Sequence, residues 1–400
     1  MDFNYSPEEE AFRQEVRDWL AKNMKELPEW WGRYDIYGPE TDSAEYRQFE
    51  IWWHRKLNAA GFVGITWPKE YGGRGGTLMQ ETIFYDELAQ HRAPPPFNVH
   101  GTGWVGPALM MFGREDQKRR FLPKILNADE IWCTLYSEPG AGSDMGSVQT
   151  RAVEDGDDFV VNGQKVWTSG GHYADWAVLL CRTDPDAPKH RGLSYILVDM
   201  HSPGITLRPL VQITGHADFN ETFLDDVRIP QNQVLGEKNK GWYVAMGAME
   251  FERSLAGGSI QRENAINDLI EIARQMERGG EPLAKDPLVR QKLAQFYIEA
   301  NVLKYLELRA LTNRLRTGRP GIAGVVSHVP SVEHGQRLQD FAMQLLGPYC
   351  QLMRGSKYAF QLGRWAYGFL GARGMSIATG TPEIHRNVIA MRGLGLPRSY

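Results

Sequence analysis

The polarity pattern of the chain changes character twice. Near the start, Ser6 precedes Pro7 and the acids Glu8 to Glu10. A capping hydroxyl, a proline in the first turn and negative charge at the positive end of the helix dipole predict a helix running through Leu20. Four indoles, Trp30, Trp31, Trp52 and Trp53, surround a loop from Gly32 to Pro39; they are expected in the core, with a substrate entrance as the alternative. Helical spacing returns from Glu81 to His91. From Ile131 the texture becomes short β-rich runs: Ile131 to Ser137, Gln149 to Val153, Asp158 to Val161, Ala174 to Arg182, Leu193 to Asp199 and Glu221 to Val227. Asp155-Gly156 and Asn162-Gly163 are hairpin dipeptides. No helix of useful length interrupts this series before Gly241, which predicts an antiparallel sheet or barrel rather than a βαβ array. Beyond Gly241, helical periodicity covers residues 242–277, 284–316, 325–346 and 353–370, the pattern of a bundle.

The expected fold is therefore α+β and multidomain: an N-terminal helical domain over 1–130, a central antiparallel β-barrel-like domain over 131–240, and a C-terminal helical bundle over 241–400. Composition narrows the function without changing that picture. The 45 basic residues nearly balance 49 acidic ones, so there is no electrostatic footprint for nucleic acid or an anionic membrane. Small-molecule chemistry is the default. Cys133, Cys181 and Cys350 are odd in number and widely spaced, which predicts neither a disulfide framework nor a metal site and suits a reducing compartment. No apolar run reaches transmembrane length, and the acidic N-terminal stretch resembles no targeting peptide. A cytoplasmic protein is expected.

Three stretches carry candidate chemistry. Tyr136 to Asp144, Tyr-Ser-Glu-Pro-Gly-Ala-Gly-Ser-Asp, joins a strand end to a glycine turn. Gly140 and Gly142 permit close backbone approach to a ligand, and Ser137 and Ser143 bring hydroxyls that donate and accept. Such a loop suits a polyanionic cofactor; a plain surface turn is the alternative. Gly101 to Gly106 matches a dinucleotide fingerprint by letter only, because that fingerprint needs a strand before it and a helix after it. Here three prolines precede it and Pro107 follows, so its glycines are expected to serve close helix packing. Glu252 interrupts a stripe of small and apolar residues, Ala245, Met249, Leu255, Ala256 and Ser259, at helical spacing. A carboxylate on a core-facing stripe is costly unless it is paired or used. Burial would raise its pKa and suit it to proton transfer near neutral pH; an arginine-paired structural carboxylate is the alternative.

Together with Asn162-Gly163-Gln164-Lys165-Val166-Trp167-Thr168-Ser169 and Gly380-Thr381-Pro382-Glu383-Ile384-His385-Arg386-Asn387, the Tyr136 to Asp144 stretch makes this chain resemble the acyl-CoA dehydrogenases. The likeness extends over essentially all 400 residues. It implies an FAD enzyme that converts an acyl-CoA thioester to the trans-2-enoyl-CoA. A carboxylate removes the α-proton, the β-hydrogen leaves as hydride to flavin N5, and the electrons pass to an electron-transferring flavoprotein. By position the resemblance places Ser137, Trp167 and Ser169 at the flavin ring and Ser143 at its pyrophosphate or at the CoA, with Leu135 and Gly142 as further cofactor-binding residues. Arg290, Gln344, Gly347, Thr381 and Glu383 match further cofactor positions, and the FAD is completed by a neighbouring subunit. Pro348 stands where a second glycine is common in the Gln-x-x-Gly turn. A homo-tetramer or dimer is implied, or a hetero-oligomer with a related chain.

One departure decides the chemistry. Most members carry the catalytic glutamate in Tyr-Glu-Gly-Thr, and the matching residues here are Ala378, Thr379, Gly380 and Thr381. Threonine cannot act as that base. A minority place the glutamate on the first long helix after the barrel, directly before an arginine, as Glu252-Arg253 stand. The apolar stripe and the resemblance thus converge on Glu252. The Thr379 N–H remains a candidate donor to the thioester carbonyl, and Arg253 a candidate for orienting base or substrate, against an ordinary surface ion pair. Two other functions stay open: a subunit of a mixed complex that contributes little catalysis, and a flavin oxidase or hydroxylase on the same fold. The acyl group is not specified.

Overall fold

The computed structural model describes residues 4–31, 43–252, 258–318 and 321–397, with backbone alone for 250–252. Ser6 opens α1 (Pro7–Asn23) through a reciprocal capping box with Glu9. The chain continues through α2 (Ala44–Ala59), α3 (Leu78–His91), α4 (Gly106–Phe112) and α5 (Glu115–Leu126). Seven strands follow: β1 (Trp132–Leu135), β2 (Arg151–Asp155), β3 (Asp158–Ser169), β4 (Trp176–Arg182), β5 (Leu193–Asp199), β6 (Ile205–Leu210) and β7 (Phe219–Pro230). The remainder is helical: α6 (Gly241–Glu252), α7 (Gly258–Gln275), α8 (Pro287–Thr317), α9 (Ile322–Leu346), α10 (Arg364–Met375) and α11 (Pro382–Val388). Among the described residues no helix is long and apolar enough to cross a membrane.

Two compact units are interleaved along the sequence. One holds α2, α4, α5, the sheet and α6. Its strand order is β1-β4-β2-β3-β7-β6, with β5 on β4. Most pairs are antiparallel, but β1 runs parallel to β4, and β2 meets β4 in parallel at Arg151 and Arg182. The sheet curls on itself, because Val166 of β3 donates to the Ser137 carbonyl just past β1 at 2.9 Å. Asp155-Gly156 turns the β2–β3 hairpin as the dipeptide predicts. Asn162-Gly163 does not turn: β3 runs straight through it, opposite a bulge whose extra residue lies in β7 between Leu224 and Val227. A Cβ on Gly163 would stand 2.5 Å from Thr150 Oγ1, so glycine serves close approach here, not chain reversal. Residues 205–210, not among the expected strands, form an edge strand that tolerates Pro209. The glycine-rich 101–106 segment is a π-helical turn leading into α4, and a Cβ on Gly106 would collide with the Trp67 ring. Of the indoles, Trp53 is buried and donates to the Pro94 carbonyl at 2.7 Å, whereas Trp52 lies at the surface.

The second unit holds α1, α3 and α7 to α11. Its apolar core joins Ile266 and Leu269 of α7, Phe296 of α8, Phe341 and Leu345 of α9, and Trp365 of α10. The predicted helix over 353–370 begins only at Arg364, because Gln361, Leu362 and Gly363 all take left-handed backbone conformations. Two carboxylates bind α3 into this unit. Glu87 accepts from Arg13 and Arg17 of α1, and although burial pushes its pKa up, those cations bring it below the usual value. Asp268 of α7, fully buried, accepts two bonds from Arg92 at 2.9 and 3.0 Å and one from Arg364 at 2.8 Å. Removing a carboxylate from between buried guanidiniums costs about 3–5 kcal/mol. Asp268→Asn is therefore expected to lower stability by about that amount in urea unfolding, far more than Asp340→Asn at the exposed Arg373 pair, for which about 0–1 kcal/mol is expected.

Candidate active site

In the sheet unit, the segment that carries Ser137 is anchored by one buried cation on β3. Phe159, Val161 and Lys165 of β3 all face inward, and Lys165 is completely buried. Its ammonium donates to the Tyr136 carbonyl at 2.9 Å, the Leu180 carbonyl at 2.7 Å and Glu138 Oε1 at 2.9 Å. Three acceptors use all three protons. Burial pulls the Lys165 pKa down and Glu138 opposes this; burial pushes Glu138 up, but the ammonium and its other donors bring it below the ordinary carboxylate value. With every proton accepted, the ionised pair is the form this geometry favours. Glu138 also accepts from the backbone N–H groups of Gln149 and Thr150 at 2.6 and 2.9 Å. Two reciprocal backbone bonds between Glu138 and Ala141 then close the Pro139-Gly140 turn.

This anchoring sets Ser137 beside the bulge that β3 itself carries, since Val166 donates to the Ser137 carbonyl. Lys165 pairs with Thr222 and Thr168 with Asn220, so Val166 and Trp167 together oppose Glu221. The extra residue shifts the alternation: Thr168 turns inward, while Trp167 stands outward at φ 62° and 59% exposed. A left-handed tryptophan costs about 1–3 kcal/mol and marks a functional candidate. Its ring meets Phe219 edge-on at 5.9 Å. The hydroxyls of Ser137, Ser143 and Ser169 have no hydrogen-bond partner among the described residues. A Cβ on Gly140 or Gly142 would meet nothing within 4 Å. An outward indole, available hydroxyls and an open glycine turn fit a planar ring carrying polar edges and a diphosphate. Leu135, by contrast, is wholly buried and has only its backbone to offer.

Helix α6 is mounted against the same sheet. A Cβ on Gly241 would stand 2.3 Å from the Ser194 carbonyl carbon, Val244, Ala245 and Ala248 are buried, and Trp242 packs on His190 at 4.3 Å. Glu252 is the last residue of α6. Its side chain, Arg253, Leu255 and Ala256 lie outside the described residues.

The remaining candidates belong to the bundle unit and fall into two groups. Arg290 is in the first turn of α8, and Gln344 and Gly347 end α9; their neighbours Val289 and Leu345 share one core cluster. Gln344 is exposed and Arg290 reaches the Ala284 carbonyl. Thr379, Thr381 and Glu383 lie at α11, which packs on the other half of α9 through His385 on His328 and Arg386 on Glu333. At ~1.5 Å per residue, His328 and Gln344 are about 24 Å apart along α9. One bundle unit therefore does not bring its two groups together. Thr381 caps α11 through Oγ1, and Thr379 is exposed with φ 59°. Among the described residues no cluster of three or more His, Cys, Asp or Glu side chains could hold a metal.

Sequence reasoning missed the Lys165–Glu138 pair. A lysine in phase with Phe159 and Val161 on a β-strand was the available signal; its acceptors come from three separate segments that only folding assembles.

Three family descriptions match the chain: the acyl-CoA dehydrogenase N-terminal domain at residues 6–129, the middle domain at 133–227 and the C-terminal domain at 239–394. Acyl-CoA dehydrogenase IpdE1 of Mycobacterium tuberculosis is 38% identical over 97% of this chain and 98% of its own length. The Tcur3481–Tcur3483 steroid ACAD aligns at TM-score 0.86 and 30% identity over 100% of both chains. The ChsE4–ChsE5 complex of Mycobacterium tuberculosis aligns at TM-score 0.86 and 33% identity, again over 100% of both.

Lys165→Met leaves Glu138 buried without its cation, and the expected loss of stability at pH 7 is about 3–5 kcal/mol. The folded pKa of Glu138 is depressed, so its contribution is present above the unfolded value and lost as pH falls through the folded one. The stability gap between the parent and Glu138→Gln is therefore expected to narrow below the carboxylate range, as read by unfolding across a pH series.

Proposed function

The chain belongs to the acyl-CoA dehydrogenase family and is an acyl-CoA dehydrogenase; we propose that it oxidises a bulky, ring-bearing acyl-CoA at Cα–Cβ with Glu252 as the α-proton base. The observation that carries this is the pairing of a threonine at 379 with a glutamate on α6, a helix seated against the sheet that bears Trp167. Glu252 accepts the α-proton, and the Thr379 N–H donates to the thioester carbonyl as negative charge develops there. Fixed donors and a desolvated carboxylate make a weak carbon acid accessible. FAD, when bound, supplies the acceptor for the two electrons and the hydrogen leaving Cβ, and an electron-transferring flavoprotein collects the electrons. Ser137, Trp167 and Ser169 hold the ring, with Leu135 contributing backbone only, and Gly142 and Ser143 receive the diphosphate or the CoA. Arg253 orients the base or the substrate.

The cofactor site is completed by a second subunit. Support comes from the distance along α9 that keeps Arg290, Gln344 and Gly347 away from Thr381 and Glu383 within one chain. Two copies, or this chain and a related one, place one group from each at the same cofactor. Tyr297, Ile298, Val302 and Tyr305 of α8 are each more than half exposed, an apolar face suited to such a neighbour. A related partner chain is favoured by the paired composition of the Tcur3481–Tcur3483 and ChsE4–ChsE5 assemblies, and a steroid-type acyl group by the former's description as a steroid ACAD.

Anaerobic mixing with straight, branched and polycyclic acyl-CoAs tests the reading. The polycyclic thioester is expected to bleach the flavin fastest, with a rate that falls about 10²–10⁴-fold in Glu252→Gln, while Thr379→Ser reacts at nearly the parent rate. Reduction of Glu252→Gln as fast as the parent removes Glu252 from the role. If no thioester reduces the parent, supplied with any chain that co-purifies, the dehydrogenation proposed here fails.

A further inference from the structure

We infer that His385 is a positioning residue that holds the Thr379 peptide in the conformation needed to polarise the thioester; this rests on the role proposed above for the Thr379 N–H. The starting point is a backbone oddity. Thr379 is β-branched and sits at φ 59°, followed by Gly380 at φ 101°. A left-handed conformation is an outlier for a β-branched residue, and nothing in threonine itself favours it. Among the described residues its N–H has no acceptor, so the conformation is not maintained from that side.

Helix α11 maintains it from the other side. Thr381 caps the helix with Oγ1 and accepts the His385 N–H at its carbonyl, 3.0 Å away. The His385 imidazole then folds back so that Nε2 lies 3.3 Å from the Thr379 carbonyl. A carbonyl can only accept, which places the proton on Nε2. The ring is buried, 3% exposed, and stacks on His328 of α9 at 4.1 Å and 22°. A Cβ on Gly380 would stand 2.9 Å from Nε2. The imidazole therefore lies directly against the Thr379–Gly380 peptide and leaves room only for glycine at 380. With the carbonyl pinned by Nε2–H, the left-handed turn persists and the N–H stays available to a ligand. With it released, Thr379 relaxes to negative φ and the N–H changes direction.

This role differs from simple packing, because it needs a donor at the reach of Nε2 and not merely bulk. His385→Gln keeps an N–H donor at similar reach; His385→Leu keeps volume and removes the donor. The probe is a 3-thiaacyl-CoA, whose acidified α-position forms an enolate and gives long-wavelength absorbance beside oxidised flavin. Backbone hydrogen exchange over residues 374–381 supplies a readout that needs neither ligand nor cofactor. His385→Leu is expected to lower the enolate-forming equilibrium and the rate of flavin reduction by about 100-fold, the loss that a misplacement of about 1 Å can cause, with KM within about twofold. Exchange at Ile377 and Ala378, whose N–H groups bond to the Gly374 carbonyl in the turn that leads into Thr379, rises in the same variant, and His385→Gln stays close to the parent in all three measurements. If His385→Leu folds poorly, Thr379→Gly in that background supplies the left-handed turn without the imidazole, and the absorbance returns. Leucine behaving like glutamine, or a folded Thr379→Gly/His385→Leu protein without the absorbance, overturns the inference. A parent that gives no absorbance with the probe contradicts the role of Thr379 instead.

Discussion

The candidate flavin wall depends on one buried ammonium. Lys165 is out of contact with water, and a cation there persists only because two carbonyls and a carboxylate take its three protons. Those acceptors belong to β4 and to the segment that leaves β1, so the bond set that neutralises the charge also welds the cofactor loop to the sheet. Glu138 extends the weld to Gln149 and Thr150. An apolar pair could fill the same space, as buried ion pairs are often replaceable, but would not fix the direction of the Tyr136 carbonyl. That fixation places Ser137 where Val166 bonds to it, within the bulge that turns Trp167 outward.

The same economy of position appears in the bundle unit. Asp268 gathers Arg92, just past α3, and Arg364 of α10 from places remote in sequence, while His385 reaches back six positions to the Thr379 carbonyl. The long α9 does something different: it separates. It keeps Gln344, at its C-terminal end, away from His328, the residue on which α11 packs. In the assembly proposed above, the two groups meet at one cofactor only across two subunits.

Much of this was legible in the sequence, for physical reasons that differ from case to case. Ser6, Pro7 and Glu9 announce α1 because capping is local chemistry. The switch from β to helical periodicity at Gly241 marks the end of the sheet because periodicity reports which face is buried. Asn162-Gly163 misled because a glycine that favours a turn also permits close approach within a strand, and only the neighbouring Thr150, outside the local pattern of the chain, decides between them. The 353–370 segment misled because three consecutive left-handed residues leave no trace in polarity. The Lys165–Glu138 pair was hidden for a simpler reason: both residues lay in recognised motifs, 27 positions apart, and pairing between distant segments is a property of topology. Glu252 stood out because a carboxylate interrupts an apolar stripe, and that anomaly needs no fold to be seen.

In the proposed mechanism the carboxylate of Glu252 takes the α-proton in a chain whose residue 379 cannot. The most direct test is isotopic. In deuterated buffer, a bound acyl-CoA analogue that cannot be oxidised at Cβ is predicted to exchange its α-hydrogen with solvent in the parent protein and to cease exchanging in Glu252→Gln, with the flavin content unchanged. Exchange at the parent rate in that variant would contradict the account.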